Sequence, residues 1–68
     1  MQPHEQRVVT ERDQLQEKIV KLENFIEGPV FEGMEYVDRK FMRIQMMAMM
    51  TYCEALNSRI GRFSERPA

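Results

Sequence analysis

Phe25-Ile26-Glu27-Gly28-Pro29-Val30-Phe31-Glu32-Gly33 decides the fold, because Gly28-Pro29 is where one helical pattern stops. Glycine is a common helix terminator, and a proline just beyond it cannot continue the helix. Gly33 keeps the connection loose. The other prolines are Pro3 and Pro67, so two long proline-free segments flank the break. Pro3 suits a first helical turn, where its missing N–H costs nothing. Glu5 favours the positive end of the helix dipole. The pattern predicts one domain, with helix 1 over about residues 4–27 and a link over 28–35. Helix 2 follows over about 36–63, then a polar tail over 64–68.

Upstream of the break, Val8, Arg12, Leu15, Ile19, Leu22 and Ile26 recur at heptad spacing and form one stripe of a helix. Arg12 is the polar member. Either its long side chain snorkels out of the seam, or it is a buried charge paired with a carboxylate or a ligand.

Downstream, Met42, Met46, Met49, Cys53, Leu56, Ile60 and Phe63 follow the same spacing. A second stripe runs one residue earlier: Phe41, Gln45, Ala48, Tyr52, Ala55, Arg59 and Arg62. The two lie roughly 100° apart around a helix. Met47 and Met50 fill a third side, so the helix is apolar nearly all round at 46–50. A helix of that kind is buried on more than one side. One helical neighbour covers only one side. The expected fold is therefore all-α: an antiparallel two-helix hairpin that assembles into a homo-oligomeric helical bundle.

Size points the same way. The chain has 68 residues. A domain this short buries only about 60% of its unfolded surface and usually needs a staple or a partner. Cys53 is its one cysteine and His4 its one histidine, which excludes an internal disulfide and a Cys-based zinc site. No apolar run of about 18 residues exists to span a membrane. The polar start, Gln2 to Asp13, does not read as a signal peptide. A reducing cytoplasm and self-association are the expectations.

The net charge is −1, which argues against general nucleic-acid binding. It is unevenly spread: residues 1–38 carry nine acids and four bases, whereas 39–68 carry six bases and two acids. The halves attract each other, within one chain or between neighbours, unless this is simply a mixed surface. Seven methionines suit an irregular core or subunit interface, because thioethers fill gaps well. They also suit promiscuous apolar binding. Cys53, mid-stripe and without a histidine at helical spacing, reads as a small buried apolar residue rather than a nucleophile.

No catalytic constellation is present: no glycine-rich phosphate loop, no His–carboxylate pair at metal-ligand spacing, and no base set beside Ser58 or Ser64. An enzyme is not expected, nor is any cofactor or metal. The second stripe of helix 2 is more informative. Arginine grips phosphate bidentately, aromatics stack on bases, and alanines permit close approach. In an antiparallel hairpin, His4 and Arg7 fall near residues 55–62. A cluster of His4, Arg7, Tyr52, Arg59 and Arg62 then either holds a small multivalent anion or is a solvated basic end with a packed tyrosine.

The chain resembles a family of short phage and prophage proteins named after a crAss-like phage member. The carrying residues in helix 1 are Glu5-Gln6-Arg7-Val8-Val9, Glu11-Arg12, Leu15, Glu17-Lys18-Ile19, and Lys21-Leu22 through Phe25-Ile26. In helix 2 they are Gln45-Met46, Met49, Tyr52, Leu56 and Arg59-Ile60. The likeness spans about residues 4–63. The chain departs from it where the family usually has leucines, at Phe41, Met42 and Met46, and in the link from Glu27 to Tyr36. The resemblance implies a viral protein acting in the host bacterial cytoplasm. More distantly, the pattern is similar to phage sponges that defeat CBASS and Thoeris defences by sequestering cyclic-nucleotide or ADP-ribose-type signals between subunits. Carried over as analogy, Arg7, Arg59 and Arg62 hold phosphates, Tyr52 stacks on a base, and His4 and Gln45 offer hydrogen bonds. The alternatives are a helical inhibitor or adaptor that binds a host or defence protein, and a structural coiled-coil module. A DNA-binding regulator fits poorly with the near-neutral charge.

Overall fold

A computed structural model of the chain describes residues 1–64. These form three helices in the order α1 (Pro3–Ile26), α2 (Pro29–Glu32) and α3 (Tyr36–Phe63). No strand occurs among the described residues. The class is all-α, as the heptads require.

Helix α1 begins at Pro3. The Glu5 carboxylate reaches back to accept the Gln2 backbone N–H at 2.9 Å. That contact satisfies a donor that the first turn leaves orphaned and explains why Glu5 is buried although charged. The break after Ile26 comes from Pro29. Its ring disfavours a helical residue before it, and Gly28 is extended at φ −92° and ψ 170°. No described residue has positive φ, so Gly28 is not a left-handed cap. The link also holds more structure than a loop. Pro29 starts α2, one helical turn closed by the Gly33 N–H on the Pro29 and Val30 carbonyls. Helix α3 ends with Arg62 in its last turn, where a cation complements the dipole. Ser64 donates to the Gly61 carbonyl at 3.2 Å. The rest of the expected tail, 65–68, lies outside the described residues.

The core is the meeting of the two predicted heptads. Val8 and Leu15 of α1 and Cys53 and Leu56 of α3 are buried together, with Ile19, Met49, Ile60 and Phe63 packed against them. The start of α1 meets the end of α3: Met1 and Glu5 share a hollow with Ile60, Phe63 and Ser64. At the other end, Glu23, Ile26 and Glu27 line a hollow with Arg43, Met46 and Met47. Leu22, Ile26, Met42 and Met46 are half-buried, so the seam is tightest toward the chain termini. Three positions expected to be covered are open within the single chain. Phe41 is 61% exposed and takes no part in the core. Met47 and Met50 are also exposed, so 46–50 is covered by α1 on one side only. The particle measures 53 × 15 × 14 Å, a pair of long helices with no third layer to cover them.

Arg12 sits in the seam and turns outward. Its Nε pairs with Asp13 at 2.8 Å, and its Nη1 donates to Asn57 Oδ1 at 2.7 Å, tying α1 to α3. Its side chain is half-buried. Arg12→Ala is expected to lower stability by about 1 kcal/mol, the scale of one partly solvated charged hydrogen bond. Thermal melting at fixed protein concentration checks this, with an expected fall of about 4–8 °C. An unchanged midpoint would mean that the clip contributes nothing.

Candidate functional site

All seven residues of the second α3 stripe are exposed: Phe41, Gln45, Ala48, Tyr52, Ala55, Arg59 and Arg62. The register explains it. Turning Cys53 and Leu56 toward α1 rotates the neighbouring stripe off the seam. Nothing in the chain lies over it.

His4 and Arg7 are exposed in the first turns of α1, on either side of buried Glu5. Because Glu5 shares a hollow with Ile60 and Phe63, they stand at the same end of the molecule as Arg59 and Arg62. Among the described residues, no hydrogen bond or ion pair engages His4, Arg7, Tyr52, Arg59 or Arg62. Their donors are open to an incoming acceptor. Gln45 stands apart. Its amide approaches the Met49 sulfur at 3.9 Å, and helix rise sets it about 21 Å along α3 from Arg59. One chain does not bring Gln45 and Arg59 to one small ligand.

The apolar members of the second α3 stripe, Phe41, Ala48 and Ala55, continue onto Val37 and Ile44 beside it. Val37, Phe41, Ile44, Ala48 and Ala55 follow heptad-like spacing, and all are exposed. Solvent-facing Val, Phe and Ile on consecutive turns make an apolar strip of the kind that marks an interaction site. Cys53 is a free, buried thiol inside the core cluster. Among the described residues, no group of three His, Cys, Asp or Glu side chains is placed to hold a metal ion. No helix is long and apolar enough to cross a membrane.

Sequence reading missed Phe31. It sits in the expected link, yet it is only 2% exposed, with the Arg43 guanidinium 5.0 Å from its ring centroid. The available signal was a lone aromatic between Pro29 and Gly33, in a stretch with no periodicity to place it.

The seam and the open faces of α3 define a small all-α protein built on one pair of long helices. It is 35% identical over 63 residues to an uncharacterized 7.5 kDa protein from the denB-rIIB intergenic region of Enterobacteria phage T4. That alignment covers 93% of this chain and 98% of the phage protein. The chain belongs to the Sequestin family, whose model matches residues 2–62. No solved structure matches the chain. The family match carries the short-phage-protein part of the resemblance. The narrower kinship with a crAss-like phage protein rests on the quoted residues alone.

Proposed function

We propose that this chain is a phage counter-defence sponge. It binds a nucleotide-derived immune second messenger, of the cyclic oligonucleotide or cyclic ADP-ribose type, and sequesters it in the host bacterial cytoplasm without catalysis. The observation that carries this reading is the wholly exposed Phe41-to-Arg62 stripe, with unengaged arginines and an aromatic beside small residues. The family's description, Sequestin, is in keeping with it. Arg7, Arg59 and Arg62 hold phosphates, Tyr52 stacks on a base, and His4 and Gln45 supply hydrogen bonds. The mechanism is mass action: tight binding lowers free messenger, and no turnover is needed.

The hairpin works as a homo-oligomer in this reading. The exposed strip from Val37 to Ala55 is the surface that neighbouring copies cover. Assembly also overcomes the separation of Gln45 from Arg59, because a ligand between subunits takes groups from different copies.

Native mass spectrometry tests this with a panel of cyclic dinucleotides, cyclic trinucleotides and cyclised ADP-ribose compounds. The expected result is a discrete oligomer that gains ligand mass in a fixed ratio. Arg59→Ala is expected to keep the oligomer and weaken binding at least tenfold, the scale of a lost charge-assisted contact. Unchanged affinity in that variant sinks the residue assignment. An oligomer that stays bare across the panel sinks the sponge.

A second reading, direct inhibition or adaptation of a host or defence protein, is favoured by exposed Ile44, Met47 and Met50. It requires that apolar surface to remain free in solution. A sealed homo-oligomer removes it. A structural coiled-coil module is the remaining alternative and predicts an elongated assembly with no ligand.

A further inference from the structure

The exposed heptad of α3 runs further than its apolar members. Val37, Phe41 and Ile44 open it. Ala48, Thr51, Ala55, Ser58 and Arg62 continue it at the same spacing, and all eight are exposed. Close to four heptads is a length at which such a stripe reads as a helix–helix seam. It lies roughly 150° round the helix from Cys53 and Leu56, so α1 does not obstruct a helix laid along it. The stripe is graded, with large apolar residues in its first half and small ones in its second. The Thr51 hydroxyl donates to the Met47 carbonyl of its own helix at 3.0 Å, so covering Thr51 leaves no donor unmade.

A graded stripe does not fit a parallel copy of itself. Phe41 would meet Phe41 at one end and Ser58 meet Ser58 at the other, which opens a wedge, and Arg62 would face Arg62. Reversed, each large residue meets a small one. About a two-fold axis midway between residues 49 and 50, Phe41 faces Ser58, Ile44 faces Ala55, and Ala48 faces Thr51. Val37 then lies against the aliphatic stem of Arg62, whose charge stays in water at the end of the seam. The polar edge repeats the match. Asp38, Gln45, Tyr52 and Arg59 recur every seven residues along one flank of the stripe, and all are exposed. In the reversed register this flank runs beside the same flank of the other copy. Asp38 then sits by Arg59 at both ends, and Gln45 by Tyr52 between them. Among the described residues, neither Asp38 nor Arg59 has an ion-pair partner within the chain.

We infer that α3 pairs antiparallel with α3 of a second copy through this face, with Asp38 of each copy beside Arg59 of the other. The pairing deepens the homo-oligomer of the sponge reading and rests on that part of it alone. It brings Gln45 of one copy beside Tyr52 of the other, a meeting that a single chain denies them. A parallel pair would offer Arg59 the Glu54 of its neighbour instead, so a charge swap between 38 and 59 separates the two orientations.

Sedimentation equilibrium of the full chain without ligand tests the pairing. The expected species is a dimer or an assembly of dimers. Ile44→Asp, at a site 50% exposed in the single chain, is expected to dissociate the pair and leave helix content unchanged. Arg59→Asp is expected to weaken pairing about tenfold, because both ends then carry like charges. Arg59→Ala only deletes a pair at the solvent edge and is expected to weaken it by about threefold at most. Asp38→Arg added to Arg59→Asp is expected to restore it. Disulfide trapping reads the orientation. Ile44→Cys chains mixed with Ala55→Cys chains are expected to cross-link to each other and not to themselves, with the wild type, whose Cys53 is buried, as the blank. A wild type that stays monomeric at about 0.1 mM overturns the pairing and passes this face to a different protein, because weaker association is nonspecific in scale. Self-linking of Ile44→Cys marks a parallel pair and overturns it, as does a charge reversal that the double variant fails to rescue. A bare messenger panel leaves the pairing standing. A messenger bound by a chain that pairs in another way keeps the sponge and overturns this seam.

Discussion

Leu56→Ala is expected to remove about 3 kcal/mol of stability, the usual scale for a fully enclosed leucine. Leu56 is 1% exposed and is the largest fully buried side chain among the described residues. It packs with Val8, Leu15 and Cys53, so truncation opens a void that two helices have little means to close. A chain of this size has only about 3–10 kcal/mol in total, so the loss is a large share of what holds it folded. The thermal midpoint, followed by circular dichroism at fixed concentration, is expected to fall by well over 10 °C. A fall below about 4 °C would show that Leu56 is not the centre of the seam.

Phe31→Ala is expected to have the next largest effect, again about 3 kcal/mol. Here the damage is to the joint and not to the seam. Phe31 is the one buried side chain of α2 and the partner of the Arg43 guanidinium. Phe31→Leu separates the two contributions. It keeps most of the apolar volume and loses the ring, so it is expected to cost only about 0.5–1 kcal/mol beyond any repacking. Denaturant melts of the two variants measure the difference. Equal losses would assign the whole effect to the cation over the ring. A neutral Phe31→Ala would mean that α2 contributes nothing to stability.

The buried seam was legible in sequence because heptad spacing is a direct consequence of helix geometry. Val8, Leu15, Cys53 and Leu56 were placed on core stripes by spacing alone, and they are buried together. For Arg12 the spacing left two orientations open, and its contacts with Asp13 and Asn57 select the outward one. Phe31 was hidden because periodicity says nothing within a single helical turn. The burial of Glu5 was hidden because its partner is a backbone N–H, which no residue type announces. Phe41 shows a different limit. Spacing reveals that a face is apolar, but not whether the chain's own second helix or another copy is meant to cover it. The arginine–tyrosine face was legible as a set of residues on one helix side. The separation of Gln45 from Arg59 was also implicit there, since rise per residue fixes it.

Helix α3 runs unbroken for 28 residues, about 42 Å, with no proline and with its one glycine near the far end. Such a helix is a ruler. The cations at 39, 40 and 43 and the arginines at 59 and 62 are graduations on it, roughly 30 Å apart along the axis by helix rise. A small nucleotide therefore cannot bridge them within one chain, and occupancy of one cannot draw the other closer. If both marks engage a single ligand, they come from different rods laid side by side. Reach and avidity would then be set by the stagger between copies and by the effective concentration that stagger creates.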